Sequence, residues 1–137
     1  MANKSNFSIV ELGVLDNVRE KESFGAKGKF FLREHLGLTG SEVSLGIIPA
    51  GQAVPFLHAH KDNEETYLFL KGTGTLSVDG NKTPVKEGTF IRVSPNGMRG
   101  LKADNEDLLY ICIQTKENSL KQATMEDGII SEEKPSW

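Results

Sequence analysis

Short alternating or apolar runs, separated by glycine, proline and Asn/Asp turns, cover most of the chain and predict β-strands. They are rich in Val, Ile, Phe, Tyr and Thr, which favour strands. No segment before residue 115 has a long helical period, so the pattern predicts little helix. The predicted strands are FSIVEL (7–12), FFLREHL (30–36), EVSLGIIP (42–49), TYLFLKG (66–72), GTLSVDG (74–80), GTFIRVSP (88–95) and LLYICIQ (108–114).

The spacing of these strands predicts an all-β, antiparallel sandwich or small barrel. The Asp79-Gly80 pair predicts a tight hairpin turn within residues 77–85. The chain has 137 residues, which suits a single domain of residues 1–137 with one core. We expect N-terminal strands within residues 7–36 and a polar C-terminal tail, with a short helix, over 115–137.

Charge and composition argue against several partners. The net charge of −3 comes from interspersed residues without a basic patch, so we expect no nucleic-acid binding. No apolar stretch approaches the roughly 20 residues of a membrane span, and the N-terminus lacks a secretory signal pattern. Cys112 is the single cysteine, which excludes an internal disulfide and fits a cytoplasmic location.

The stretch HAHKDNEETYLFLKG (58–72) carries the main candidate chemistry. On a strand, side chains two residues apart face the same way, so His58 and His60 would project together, with Phe56 on their face. After a turn, Glu65 opens the next strand. If the two strands are neighbours, two imidazoles and one carboxylate converge, a ligand set that suits Zn, Fe, Mn, Ni or Cu.

A simpler interpretation of the same stretch is a polar loop. A His-x-His pair occurs by chance, and surface histidines beside acidic residues often only form solvated hydrogen bonds. Two residues alone therefore carry a high risk of a false positive. The spacing of the residues that follow favours the metal site over the polar loop.

That spacing resembles the cupin superfamily, which is defined by two short motifs. The second motif lies after a hairpin, as cupins commonly have, and the resemblance covers roughly residues 40 to 114, the expected barrel core. It implies a double-stranded β-helix, or jelly roll, with metal ligands His58, His60 and Glu65. The first motif is matched, with one extra residue, by Gly51, His58, His60, Glu65 and Gly72, and the second by Gly88, Pro95 and Gly97.

The sequence departs from the second motif at its histidine, which is typically the fourth protein ligand. That position holds Gly100, and neither Met98 nor Arg99 is an obvious replacement. Two interpretations remain open: three ligands hold a divalent transition metal (Fe, Mn, Ni or Zn) with open positions, or the pocket binds a small molecule without metal. Glu64 is the stand-in ligand if the turn shifts register.

Other residues have both a functional and a simpler interpretation. Tyr67 is the candidate catalytic residue, because it could donate a hydrogen bond to a ligand or to metal-bound water. The simpler interpretation is that its aromatic ring fills the barrel. Arg92 and Arg99 are candidates for binding an anionic substrate at a pocket mouth. Positions on the surface explain both arginines equally well. Cys112 is expected to face the lumen as a small buried hydrophobe rather than a nucleophile. His35 has no partner at ligand spacing.

Three functions follow as hypotheses. The first is a metal-dependent enzyme acting on a small polar metabolite, such as the oxygenases and isomerases among cupins. The second is a non-catalytic or metal-free binder of a sugar-like molecule, and the third is a purely structural role, which leaves the inward polar trio unexplained. The resemblance also implies a homodimer, to which FSIVEL is expected to contribute.

Overall fold

Antiparallel β-strands form most of the protein in the computed structural model, which describes residues 5–122 and 124–137. Helices there are short, as predicted: a 3₁₀ helix (Leu15–Glu20), α1 (Arg33–Leu36) and α2 (Thr124–Asp127). None of the described helices has the length and apolar character to cross a membrane. The strands are β1 (Glu22–Ser23), β2 (Ala26–Lys27), β3 (Lys29–Phe31), β4 (Glu42–Ile48), β5 (Asn63–Lys71), β6 (Thr73–Val78), β7 (Asn81–Lys86), β8 (Phe90–Val93), β9 (Arg99–Ala103) and β10 (Leu108–Lys116).

Two antiparallel sheets enclose the main core. One has the strand order β3-β4-β10-β5-β8 and the other the order β7-β6-β9. Burying one face of each sheet against the other removes both apolar faces from water, which is the driving force for this architecture. The predicted all-β jelly roll is confirmed. The core contains Phe69, Leu76, Val85, Leu108 and Tyr110, among other buried residues.

A second, smaller core lies on the outer face of the five-stranded sheet. Val18 of the 3₁₀ helix packs there against Leu45, Ile47 and Leu109 from β4 and β10. The apolar side chains of these central strands therefore point to both faces, because both faces are covered. This N-terminal layer holds β3 beside β4, where it contributes to the barrel wall.

The Asp79-Gly80 turn is confirmed as a two-residue hairpin. Val78 pairs with Asn81 across it, and both turn residues have positive φ angles, of 51° and 82°. Such turns match the right-handed twist of the flanking strands. The hairpin joins β6 to β7.

Two predicted strands in the N-terminal region are wrong or only partly right. Residues 7–12 alternate in sequence but form no strand and pair with none of the described strands, and Phe7 and Ile9 are 71% and 67% exposed. Residues 30–36 are divided between β3 and α1. The helix ends at Gly37, whose φ of 69° is the left-handed conformation that terminates helices.

Candidate metal centre

The fold brings the three predicted ligand residues together. The candidate ligand atoms of His58, His60 and Glu65 all lie within 4.8 Å of one another. His60 Nε2 is 3.1 Å from Glu65 Oε2, and His58 Nε2 is 3.8 Å from Glu65 Oε1. The two imidazole rings meet edge to face, with centroids 5.2 Å apart. Two imidazoles and a carboxylate therefore converge as the sequence predicts.

The backbone positions the histidines without a continuous strand. His58 forms an isolated antiparallel bridge with Arg99, and the backbone N–H of His60 donates to the carbonyl of Pro95 at 2.7 Å. The predicted regular strand through both histidines is wrong, because these residues pair singly with the second motif instead of with one neighbouring strand. Phe56 lies 60% exposed, with its ring 5.9 Å from that of His58.

Glu65 lies on the inward face of β5, which it shares with Tyr67 and Phe69, as predicted. Its carboxylate is 3% exposed and is held from several sides. Oε1 accepts hydrogen bonds from Tyr67 Oη at 2.8 Å and from Arg99 Nη1 at 2.6 Å, while Oε2 accepts one from Cys112 Sγ at 3.2 Å. The rotamer of Glu65 is therefore fixed before any ligand binds.

The protonation states of this group follow from burial and hydrogen bonding. Burial alone would raise the pKa of Glu65, but the hydrogen bonds from Tyr67, Arg99 and Cys112 outweigh it and lower that pKa. Burial, with the nearby Glu65 charge, raises the pKa of both Tyr67 and Cys112. Glu65 is thus an ionised acceptor, and its two neighbours remain protonated donors. Cys112 faces the lumen as predicted and acts there as a donor.

Arg99 is the functional residue that the sequence analysis misplaced. Its side chain is 1% exposed and forms an ion pair with Glu65, so neither the predicted surface position nor anion binding at a pocket mouth is right. Nε donates to the carbonyl of Gly97, and Nη2 donates to those of Ser94, Pro95 and Gly97. Arg99 therefore ties the turn of the second motif to Glu65.

Gly100, which stands where the resemblance expects a fourth ligand, and its neighbour Arg99 lie on opposite faces of β9. Arg99, Leu101 and Ala103 are buried in β9, whereas Gly100 lies on the other face. A Cβ atom at Gly100 would lie 2.6 Å from Cδ2 of Leu57, outside the ligand cluster. The residue that points inward opposite His58 is Arg99, so the second motif brings a buried guanidinium to Glu65.

The donor set nevertheless fits a divalent transition metal. Among the described residues, the buried ring nitrogens His58 Nδ1 and His60 Nε2 form no hydrogen bond of acceptable geometry, although His60 Nε2 lies 3.1 Å from Oε2 of Glu65. Burial lowers the pKa of His58, with the charges of His60, Arg99 and Lys29 adding to the effect and Glu65 opposing it. The imidazole is therefore neutral at neutral pH, which is the form that binds metals. The histidine side chains are 37% and 25% exposed, so an ion can reach them.

The remaining candidate residues lie outside this centre. Glu64 faces away from it and pairs with Arg92 at 2.5 Å, and Arg92 also contacts Glu117 at 2.9 Å on the surface. His35 stacks on Phe30, with ring centroids 4.8 Å apart. Two surface hollows of about 360 and 480 Å³ have none of the three ligand residues in their walls, so we identify the centre by its converging side chains and not by cavity size.

Comparisons with known proteins agree with this geometry, and the chain belongs to the cupin family. A family model described as "Cupin domain" matches residues 44–113. The crystal structure of a cupin protein from Bacteroides fragilis is 34% identical, covers 93% of this chain and 99% of its own, and superposes with a TM-score of 0.82.

Two further matches are more distant. A Cupin 2 conserved barrel domain protein from Salinispora arenicola, at 15% identity, has a TM-score of 0.64 and covers 80% of this chain and 92% of its own. An uncharacterized protein from Methanocaldococcus jannaschii is 39% identical over 49 residues, which are 36% of this chain and 38% of that protein. The fold and the family are therefore established, whereas these matches name no reaction.

Proposed function

We propose that this cupin binds a divalent transition metal through His58, His60 and Glu65 and holds a small polar metabolite beside it. The observation that carries the proposal is the convergence of two imidazoles on an ionised carboxylate, where the buried nitrogens His58 Nδ1 and His60 Nε2 form no hydrogen bond. Leaving such polar atoms unpaired in the interior is costly, and a bound cation would compensate for them. When bound, the ion would supply Lewis-acid or redox chemistry to an oxygenase or isomerase reaction.

The surrounding side chains would set how the centre works. Oε1 of Glu65 already accepts two hydrogen bonds, so Oε2 is the oxygen left for an ion. Tyr67 donates to Glu65 and is therefore a positioning residue for this carboxylate, not a group facing substrate. Cys112 donates to Oε2 and would lose that bond, or share the oxygen, when a metal arrives.

A metal-free function is the second candidate, and Arg99 is the observation that favours it. Its guanidinium neutralises Glu65 at 2.6 Å without any metal, and its charge repels a divalent cation at the same place. In this case the barrel would bind a small molecule through hydrogen bonds alone. The two candidates differ in one measurable property, the metal content.

Elemental analysis of protein purified without a histidine tag tests the proposal. After reconstitution with Fe(II), Mn(II), Ni(II) or Zn(II) and desalting, we expect about one ion per chain for at least one of these metals. The His58→Ala/His60→Ala variant should lose it. The His35→Ala variant is the matched control, because His35 stacks on Phe30 away from the centre, and it should keep the metal. Wild-type protein that retains none of the four metals would favour the metal-free function.

A further inference from the structure

The inward side of the five-stranded sheet carries a half-buried lysine, Lys29, that has no carboxylate partner among the described residues. Lys29 in β3 takes part in none of the ion pairs formed among the described residues, in contrast to Lys27, which pairs with Glu20. Its Nζ lies 3.3 Å from the hydroxyl of Tyr110, 4.7 Å from the Tyr110 ring centroid and 5.6 Å from that of Phe31. In the part of the chain that the structure describes, a hydroxyl oxygen and two aromatic faces are the groups that compensate this charge.

The strand register aims Lys29 into the barrel. Lys29 pairs with Gly46, and Gly46 pairs with Tyr110, so the three positions lie side by side across the sheet. Tyr110 is 5% exposed and belongs to the main core. A Cβ atom at Gly46 would lie 2.5 Å from Cζ of Tyr110, so only glycine leaves room for the ring and for the lysine chain that reaches it.

Lys29 lies on the same inward face of the sheet as residues that contact the candidate metal centre. Cys112 lies two residues beyond Tyr110 on the same face of β10, and its thiol contacts Glu65. Lys29, Tyr110 and Cys112 therefore lie on the inward face of the sheet, and the Cys112 thiol connects this row to Glu65.

Of the two buried or half-buried cations that the structure describes on this side of the sheet, Arg99 and Lys29, Lys29 is the one available to a ligand. The guanidinium of Arg99 is occupied by Glu65 and by three backbone carbonyls, so that cation is already satisfied within the protein. Lys29 has no such anion. The hydroxyl of Tyr110 accepts from Lys29, and its own proton has no acceptor among the described residues. The interior thus offers an excess positive charge and a free hydroxyl donor side by side.

We propose that Lys29 and the Tyr110 hydroxyl anchor the carboxylate of a small organic acid beside His58, His60 and Glu65. A charge-assisted bond from the ammonium group and one from the phenol match the two oxygens of a carboxylate. A phosphate group carries about two negative charges, and the single ammonium group of Lys29 would compensate only one of them. This inference rests on the proposed function for the site of binding, and it names the class of ligand.

Titration with small acids tests the anchor. We would measure binding of acetate, pyruvate, malonate and succinate to wild-type protein by calorimetry, with acetamide and succinamide as uncharged matches and inorganic phosphate as the competing anion. At least one acid should bind, more tightly than its amide and than phosphate. The Lys29→Met variant should lose about tenfold or more in affinity for it. Lys27→Met is the matched control, since its ammonium group pairs with Glu20 on the surface, and it should bind like wild type.

A second variant keeps the test decisive if Lys29→Met folds poorly. Tyr110→Phe removes only the hydroxyl and should weaken acid binding by several-fold. The proposal is overturned if no acid binds wild type at about 10 mM, if amide or phosphate binds as tightly, or if Lys29→Met and Tyr110→Phe bind the acid as wild type does. Metal content is measured on the same samples. If the protein retains its metal but binds the acid equally well without Lys29, the anchor is rejected and the metal centre is not. Lys29-dependent binding without metal supports the anchor and rejects the metal centre.

Discussion

Replacing Arg99 with methionine tests how much the interior ion pair contributes to stability. Arg99 and Glu65 are 1% and 3% exposed, so water hardly screens their 2.6 Å contact. With charge centres about 4 Å apart and an effective dielectric constant of about 20, their attraction is roughly 4 kcal/mol. Removing one partner of a buried pair costs about 3–5 kcal/mol, because the other charge stays buried and uncompensated.

We therefore expect Arg99→Met to lower the free energy of unfolding by about 3–5 kcal/mol, a large share of the stability of a small protein. The carbonyls of Ser94, Pro95 and Gly97 also lose their donor, which adds to the loss. Urea denaturation of metal-free protein, followed by circular dichroism, measures the change. The double variant Glu65→Gln/Arg99→Met should recover part of it, since no charge is then left unpaired.

Arg92→Met is the matched control, because Arg92 forms its ion pairs on the exposed surface, where they contribute little. Adding a metal that wild type binds should stabilise Arg99→Met more than wild type, since a cation again compensates Glu65. A loss below about 1 kcal/mol in Arg99→Met, similar to that of the control, would refute the view that Arg99 clamps Glu65.

Three further predictions concern the interior and the assembly. Gly46→Ala should destabilise the fold by about 1–3 kcal/mol through contact with the Tyr110 ring, and much less in a Tyr110→Ala background; equal losses in both would be evidence against that contact. The folded-state pKa values of His58 and Glu65 are both lowered, and that of Cys112 is raised. The unfolding free energy should therefore be constant from pH 6.5 up to about pH 8 and fall as the pH drops below 6.5 through the pKa of His58 and then, below 4.5, through that of Glu65; it should also fall above pH 9.0, where the Cys112 thiol ionises in the unfolded chain first. A maximum near pH 5 in a urea series would contradict this. Light scattering after size exclusion should give a homodimer, and truncation before Leu12 should weaken it; a wild-type monomer at micromolar concentration rejects that prediction.

Much of the fold follows from local patterns in the sequence. β4, β5 and β10 are apolar or alternating runs with strand-forming residues, and the Asp79-Gly80 turn specifies its hairpin. β9 was missed because its inward positions begin with an arginine, which a hydrophobic pattern assigns to solvent. Residues 7–12 show the reverse case, since they alternate as a strand does but none of the described strands lies beside them to complete the hydrogen bonds.

The part of the candidate centre that lies in one short stretch of sequence could be predicted. His58, His60 and Glu65 lie within eight residues, and their spacing indicated convergence. Arg99 and Lys29 come from distant parts of the chain, 34 residues after and 36 residues before Glu65. Their inward positions depend on strand register, on the turn at Pro95 and on the missing side chain at Gly46, which only the assembled sheets define.

Anomalous X-ray scattering from crystals soaked with Mn(II) is the most direct test of the proposed metal centre. The account predicts a single strong peak bonded to His58, His60 and Oε2 of Glu65, at about 2.0–2.3 Å from its ligand atoms, with Arg99 still contacting Oε1. The same crystals of the His58→Ala/His60→Ala variant should give no peak there. No peak beside Glu65 in wild-type crystals soaked with Mn(II), and then with Zn(II), would contradict the central claim.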